Sequence, residues 1–380
     1  MKSTITAVLL GAGLLLASRL PAAAQVPQAP VLLSDSTPPP QGQTQCNDGI
    51  DNDGDGLIDI FAPGGNESLG DTGCATADDD SESVGIPAGT VLTAYAGPYT
   101  ITANGTVIDS KDLTQQLTIS ANNVTIRKSR MRVASNAVVK TPINATNYGN
   151  VIEDSLIDGA NGSDYCIVHN DGNTSQTSLT LTRVEIKGCG DMFSMGNSTV
   201  IADNYWHDNW NPPGAHGDAL EMNGGVHQWA HHNVVLGNYT TASISHGDYF
   251  SAVSDILFEK NYVGGVPARL FAPGSGGAAG HPGLDDWRVS YNRFRCTVSV
   301  LPVFYPTLSQ YGNVSQNDHL TWTGNVCAAT GAIYDDPILG GGQPSGAGWL
   351  RACANGYDDD HDGKIDMADS GCSSSSDNLE

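Results

Sequence analysis

The middle of the chain repeats one short phrase at a spacing that only a stacked architecture satisfies. Apolar residues alternate, and three residues after the last of them comes a fixed position that is usually Asn. The phrase reads Val124-Thr-Ile126-Arg-Lys-Ser129, Val151-Ile152-Glu-Asp-Ser155 and Leu179-Thr-Leu181-Thr-Arg-Val184. It continues as Val200-Ile201-Ala-Asp-Asn204, Trp229-Ala230-His-His-Asn233 and Leu257-Phe258-Glu-Lys-Asn261, then as Arg288-Val289-Ser-Tyr-Asn292 and Thr321-Trp322-Thr-Gly-Asn325. The fixed positions are 26, 29, 20, 29, 28, 31 and 33 residues apart. A period of that size with strand chemistry means a solenoid. Alternation turns one side of each phrase inward, so Ile126, Ile152, Leu181, Ile201, Phe258 and Val289 are the expected core. Asn at a repeated rung position can stack into an amide ladder. A β-sandwich would need turn signals every ~8–12 residues, which this spacing does not provide.

A second strand of each repeat aligns as Tyr165-Cys-Ile-Val-His169, Met192-Phe-Ser-Met-Gly196, Ala219-Leu-Glu-Met-Asn223, Ser243-Ile-Ser-His-Gly247 and Arg269-Leu-Phe-Ala-Pro273. This alignment stacks Cys166, Phe193, Leu220, Ile244 and Leu270 inward, with His246 also inward. Glu221 and Arg269 then share the outer face. Asp164, Asp191 and Asp218 precede the strand at two equal steps of 27. Carboxylates one rung apart, ~4.8 Å, repel unless a cation or a shared proton compensates them. A competing register stacks the identical tripeptides His216-Gly-Asp218 and His246-Gly-Asp248 as a two-His, two-Asp metal cluster. The first register is preferred because it gives five consistent inward residues.

The ends read differently from the middle. Lys2, the apolar run Ala7 to Leu16 and Ala22-Ala23-Ala24 are expected to form a signal peptide over residues 1–24, with a Pro- and Ser-rich linker over 25–45. Net charge is −24, yet residues 46–82 hold eleven acids and no Lys or Arg, and residues 353–380 hold eight acids and one Lys. The solenoid itself, 85–335, is thus only mildly acidic. No basic stripe exists, which argues against nucleic acid as a partner. No later run is long enough to span a membrane. Export to an extracellular or cell-surface location suits the eight cysteines.

The two acidic ends are copies of one motif, separated from the solenoid on the C-terminal side by a linker over 336–352. The first copy, 46–82, places Asp51, Asp53, Asp55 and Asp59 after Cys46, with Asp71 before Cys74. The second, 353–380, places Asp358, Asp360, Asp362 and Asp366 after Cys353, with Asp369 before Cys372. Alternating Asp followed by Gly converges oxygens on one point, as calcium requires. Asp71 and Asp369 are the expected substitutes for the absent bidentate Glu of an EF-hand. The motif resembles the calcium-binding repeats of thrombospondin type 3 and dockerin modules, and more closely a Cys-bracketed Asp-rich cassette of secreted bacterial proteins. The bracketing cysteines pair most simply within each copy, Cys46–Cys74 and Cys353–Cys372. Cys296 and Cys327 follow adjacent ladder positions and are expected to pair. Cys166 and Cys189 are left open.

The phrase and its period resemble the pectate-lyase-like right-handed parallel β-helix superfamily, over roughly residues 85–335. The resemblance implies an all-β solenoid and a polysaccharide or cell-surface glycan as partner, and fixes no reaction. Neither the R-x-P-x-x-R of pectate lyases nor the ordered motifs of polygalacturonases occurs, so no catalytic residue carries over. Seven of the ten histidines fall between His207 and His281, beside the loop Asn209-Trp210-Asn211-Pro212-Pro213-Gly214. The expected catalytic group is Asp191, His216, Asp218, Glu221 and Arg269. Trp210, His207 and His231 are the expected sugar contacts, although His231 and His232 also flank a ladder Asn and fit a turn-capping role. Three readings follow: a polysaccharide lyase, favoured; a glycoside hydrolase; and a non-catalytic glycan-binding rod.

Overall fold

The computed structural model describes residues 44–60, 70–142, 147–169, 177–213, 217–222, 224–237, 242–246, 253–264, 269–271, 284–295, 303–304, 320–328, 349–350 and 368. All of them belong to the compact unit Pro39–Glu380. The C-terminal acidic copy, Cys296, His216 and the 1–24 segment lie outside the described residues.

The protein is an all-β parallel solenoid. Ten parallel strands stack into one sheet, from Val107–Asp109 to Trp349–Leu350; we call this the back face. The recurring phrase forms it, in the expected register: Ile126 lies opposite Ile152, then Leu181, Ile201, Ala230, Phe258 and Val289 follow one per coil. After the turn at the fixed position comes a short strand of a middle face. There Met131, Ile157, Ile186, Trp206, Val235, Val263 and Phe294 form a second inward column. The front face carries the third, with Val139, Ile167, Phe193 and Leu220, and the backbone register continues through Ile244, Leu270 and Phe304. Wherever burial is described, the members of these columns are 0–2% exposed. Each such Ile, Leu or Phe contributes about 1.5–3 kcal/mol of transfer free energy.

The Asn ladder runs along the turn between back and middle faces. Asn204, Asn233, Asn261, Asn292 and Asn325 are all buried. Each of the first four donates from Nδ2 to the Oδ1 of the next, at 2.8, 2.9, 3.0 and 2.9 Å. Ser129 and Ser155 continue the column toward the N-terminus, where each hydroxyl accepts a backbone N–H from the preceding coil. The residue just before the fixed position has positive φ in every coil: Lys128, Asp154, Arg183, Asp203, His232, Lys260, Tyr291 and Gly324. Seven of these eight are not glycine, and a left-handed non-glycine residue costs roughly 1–2 kcal/mol. The ladder offsets that cost by holding the turn's backbone groups.

The front-face register matches the expectation from Phe193 onward and departs from it at Cys166. Ile167, not Cys166, sits opposite Phe193, and Tyr165, not Asp164, sits opposite Asp191. The cause is a register shift between Asp158 and Ser163 in strand Leu156–His169, where Ala160 and Asn161 have positive φ. Cys166 is instead disulfide-bonded to Cys189, with Cα atoms 5.4 Å apart. Leu220 pairs with Ile244 and Asp218 with Ala242, so the two His-Gly-Asp tripeptides do not stack.

The N-terminal cassette folds back along the left-handed turn column. The Cys46–Cys74 disulfide closes it. Gly85 N–H donates to Arg183 O at 2.9 Å, Lys260 pairs with Asp78 at 2.6 Å, and Arg293 Nη1 donates to Ala75 O at 3.1 Å. Among the described residues no helix is long and apolar enough to cross a membrane.

Candidate functional site

Three groups of chemically competent side chains stand on this scaffold. The first is on the front face, where strand alternation that buries Phe193 and Leu220 turns Ser194 and Glu221 to the other side, and the register continues at Ser245. Asp191 and Asp218 end up one coil apart, and the Asp218 N–H donates to Asp191 Oδ1 at 2.8 Å. Both are nearly fully buried. Burial pushes the Asp191 carboxyl up to about 7, helped by the negative charges of Glu221 and Asp164 and opposed by the Asp218 N–H. Arg269 lies on strand Arg269–Phe271, two coils beyond Glu221. Phe271 is in register with Ser245 and hence with Glu221, so Arg269, two residues earlier, shares Glu221's parity. Its side chain and all of His216 lie outside the described residues.

The expected sugar contacts separate from this group. Trp210 is half-buried in the loop after strand Tyr205–His207, and its N–H donates to Cys189 O at 2.7 Å. His207 belongs to the middle face. It stacks on Tyr205 with centroids 4.2 Å apart, and its Nε2 lies 3.1 Å from Glu185 Oε1. Burial alone would raise the Glu185 carboxyl, but hydrogen bonds from His207 and Lys187 outweigh it and hold the group near about 2. Glu185, Tyr205 and His207 line a cleft of about 630 Å³ together with Asp53 and Asp55 of the cassette and Gly85 just after it.

The second group is the cassette loop. Ligand oxygens from Asp51, Asp53 and Asp55 fall within 4.8 Å of one another. Gly56, at φ +93°, permits the tight turn that brings them together. Asp71 is fully buried; its Oδ1 accepts from Gly73 N–H at 2.6 Å, whereas its Oδ2 has no partner. Burial, with the charges of Asp55, Asp53 and Glu82 adding, raises this carboxyl to about 8. Both Asp59 oxygens accept from Gly49 N–H at 3.1 Å. Glu82, buried beneath the loop, accepts from Asn52 N–H at 2.5 Å and Asp59 N–H at 2.9 Å. Glu82 thus organises the loop backbone, a role its spacing after Cys74 hints at without specifying.

The third group is on the turn column. His231 ends the back-face strand Gly225–His231, His232 occupies the left-handed position, and Asp203 holds that position one coil earlier. His231 Nδ1 and His232 Nδ1 are 3.3 Å apart. Burial lowers the His232 imidazole to about 4, with repulsion from His231 adding to it.

On the back face, Asp255 gathers two exposed partners and one half-buried one that the sequence pattern did not single out. It meets His227 Nδ1, Trp229 Nε1 at 3.1 Å and Arg288 Nη2 at 2.7 Å. The signal was present in the phrase itself, because Trp229 and Arg288 hold its outward position. No protein-family model matches the chain, and neither a curated protein nor a solved structure gives a match. The fold is a parallel β-solenoid, an architecture compatible with carbohydrate-active proteins.

Proposed function

We propose that the protein is an exported, calcium-stiffened β-helix enzyme of the kind the pectate-lyase-like resemblance implies, acting by β-elimination on an acidic polysaccharide. The observation that carries this reading is Asp191 and Glu221 on adjacent front-face strands, close enough for the Glu221 charge to act on Asp191, with the Arg269 position about 10 Å further along the same column of strands. Elimination needs a base to take the proton next to a uronate carboxylate, a cation to offset that carboxylate, and a proton for the departing glycosidic oxygen. His216 and Arg269 are the residues proposed for the first two tasks. A carboxyl titrating near neutrality, such as Asp191, suits the third. A long solenoid face also suits a linear chain.

The same Asp191 favours a second reading, in which it is the general acid of a glycoside hydrolase and Glu221 the partner carboxylate. One assay separates them. Elimination yields an unsaturated, ultraviolet-absorbing sugar; hydrolysis yields new reducing ends without that absorbance. Under the elimination reading, His216→Ala and Arg269→Ala each lower the rate at least ~100-fold while leaving the circular dichroism spectrum unchanged. Binding of a uronate polymer with neither product overturns the enzyme proposal for that polymer, and leaves glycan binding through Trp210 and other exposed aromatics.

Calcium enters through the cassettes. Asp51, Asp53 and Asp55 offer converging oxygens, and the partnerless buried oxygen of Asp71 beside them is what a resident cation would satisfy. The residues therefore fit the ion, with Asp358, Asp360, Asp362, Asp366 and Asp369 as the corresponding donors at the other end. Binding to the folded state alone stabilises it by about 2.7 kcal/mol at a hundredfold excess over Kd. Chelator is expected to lower Tm, and calorimetric titration of the full chain to find about two ions. An unchanged Tm together with heats equal to buffer dilution would refute the site.

A further inference from the structure

The seam between the cassette and the coil holds a cluster that calcium chemistry does not use. Asp203, His231 and His232 offer ligand atoms all within 4.8 Å of one another. His231 Nδ1 and His232 Nδ1 are 3.3 Å apart, and His232 Nδ1 is 3.8 Å from Asp203 Oδ1. A tetrahedral ion with bonds of about 2.0–2.1 Å holds neighbouring donors about 3.3–3.4 Å apart, so the imidazole pair already has the edge length of such a site. The rings meet edge to face, 81° between planes, so their nitrogens converge without stacking.

Two further observations point to a missing partner. Asp79, from the cassette, is 2% exposed, its Oδ2 has no hydrogen-bond partner, and Asp203 is the charge that acts on it most strongly. His232 Nε2 is likewise buried without a partner. The nearby basic side chains are bonded elsewhere, and Arg183 acts on Asp203 only through space. Arg183 is committed to Asp154 at 2.6 Å and Lys260 to Asp78 at 2.6 Å. One buried carboxylate, one half-buried carboxylate and two half-buried imidazoles thus gather at one seam.

We propose that Asp203, His231, His232 and Asp79 bind a divalent first-row transition ion of the zinc type, which pins the N-terminal cassette onto the coil. Two imidazoles with carboxylates suit zinc, whereas calcium takes an all-oxygen shell. Three donors come from two successive coils and the fourth from the cassette, so the site forms only when the cassette is docked. Its metal binding is therefore folding free energy for that docking.

The test uses the full chain, stripped of metal and then saturated with calcium, titrated with zinc by calorimetry and separately with cobalt(II) by absorption. The expected result is one zinc equivalent that excess calcium does not displace, and a cobalt spectrum with the strong visible bands of a four-coordinate site. His232→Ala and Asp203→Asn should each lose that equivalent, and Asp79→Asn should weaken it, while all retain the wild-type circular dichroism spectrum and calcium titration. If a variant fails to fold, limited proteolysis of the wild-type chain decides: zinc added over calcium should slow cleavage between the cassette and residue 90. No zinc equivalent in the wild-type chain, an equivalent that survives His232→Ala in the folded variant, or cleavage indifferent to zinc each overturns the proposal.

Discussion

Replacing Asn261 with alanine is expected to destabilise the fold by about 4 kcal/mol, read from the denaturant midpoint at unchanged m-value. The Asn261 side chain sits fully buried in the middle of the ladder. Its Oδ1 accepts both the backbone N–H and the Nδ2 of Asn233, at 2.9 Å each. Its Nδ2 donates to Ala230 O and Asn292 Oδ1, both at 3.0 Å. Alanine removes the side chain and leaves the Asn233 N–H and the Ala230 carbonyl with the full cost of burial, about 1–3 kcal/mol for each polar group stranded. Lys260, immediately before it, stays in the left-handed region without the contacts that fix the turn. Ser155→Ala should cost less, because the Ser155 hydroxyl serves only the Ser129 N–H and the Glu153 carbonyl. Equal costs at the two positions, or a loss under about 1 kcal/mol at Asn261, would show that the ladder does not hold the coils together.

Most of the scaffold could be read from the residues because solenoid physics is local. Each coil buries its strands against the next, so the same inward position must stay apolar, and Ile126 through Val289 report the register directly. The ladder was legible for the same reason: an amide that satisfies its neighbours has to recur. Legibility stopped where the chain turns corners with unequal numbers of residues. Equal steps of 27 tied Asp164 to Asp191 and Cys166 to Phe193, yet the shift after Asp158 moves both by one. Periodicity counts residues, and a corner that absorbs extra residues hides that from the count.

The candidate sites divide along the same line. Glu221, Asp191 and Asp218 lie on strands, and strand alternation was enough to place Glu221 at the opposite parity to the buried Leu220. His231 was read as a sugar contact or a turn cap because the phrase gave no account of what covers it. Its surroundings depend on two features that a count of residues does not show. Asp203 stacks on His232 because both occupy the left-handed position, a column visible only once backbone angles are known. Asp79 arrives from the cassette, over a hundred residues away in the chain. The repeat explains how the cassette finds its place: Arg183 and Lys260 on the turn column, and Arg293 just beyond it, are met by Gly85, just after the cassette, and by Asp78 and Ala75 within it.

His169 sets a second large effect, this time in acid. Its imidazole is fully buried and burial lowers it to about 4. The carbonyl of Asn197, 3.3 Å from Nε2, can only accept, so Nε2 carries the proton. Nδ1, 3.1 Å from Thr141 Oγ1, is therefore the acceptor of that hydroxyl. A second proton would have to enter at Nδ1, in the core, where burial is the largest influence on the ring. In the unfolded chain the same group takes its proton near pH 6.5. The stability it contributes is thus complete above pH 6.5, and is lost as pH falls from there to about 4. A difference of that size corresponds to about 3 kcal/mol at most. His232, also lowered, loses stability in the same direction, whereas the raised carboxyls of Asp71, Asp79, Glu82 and Asp191 act oppositely when no metal holds them ionised. The comparison that isolates His169 is therefore a difference between two proteins at each pH. His169→Gln keeps a donor for Asn197 O and an acceptor for Thr141 and does not titrate. Wild type minus variant, measured by chemical denaturation in saturating calcium, should fall by up to about 3 kcal/mol between pH 6.5 and 4. Two parallel stability curves would mean that the buried imidazole is protonated in the native state after all, and that the Thr141–His169–Asn197 bridge opens to accommodate it.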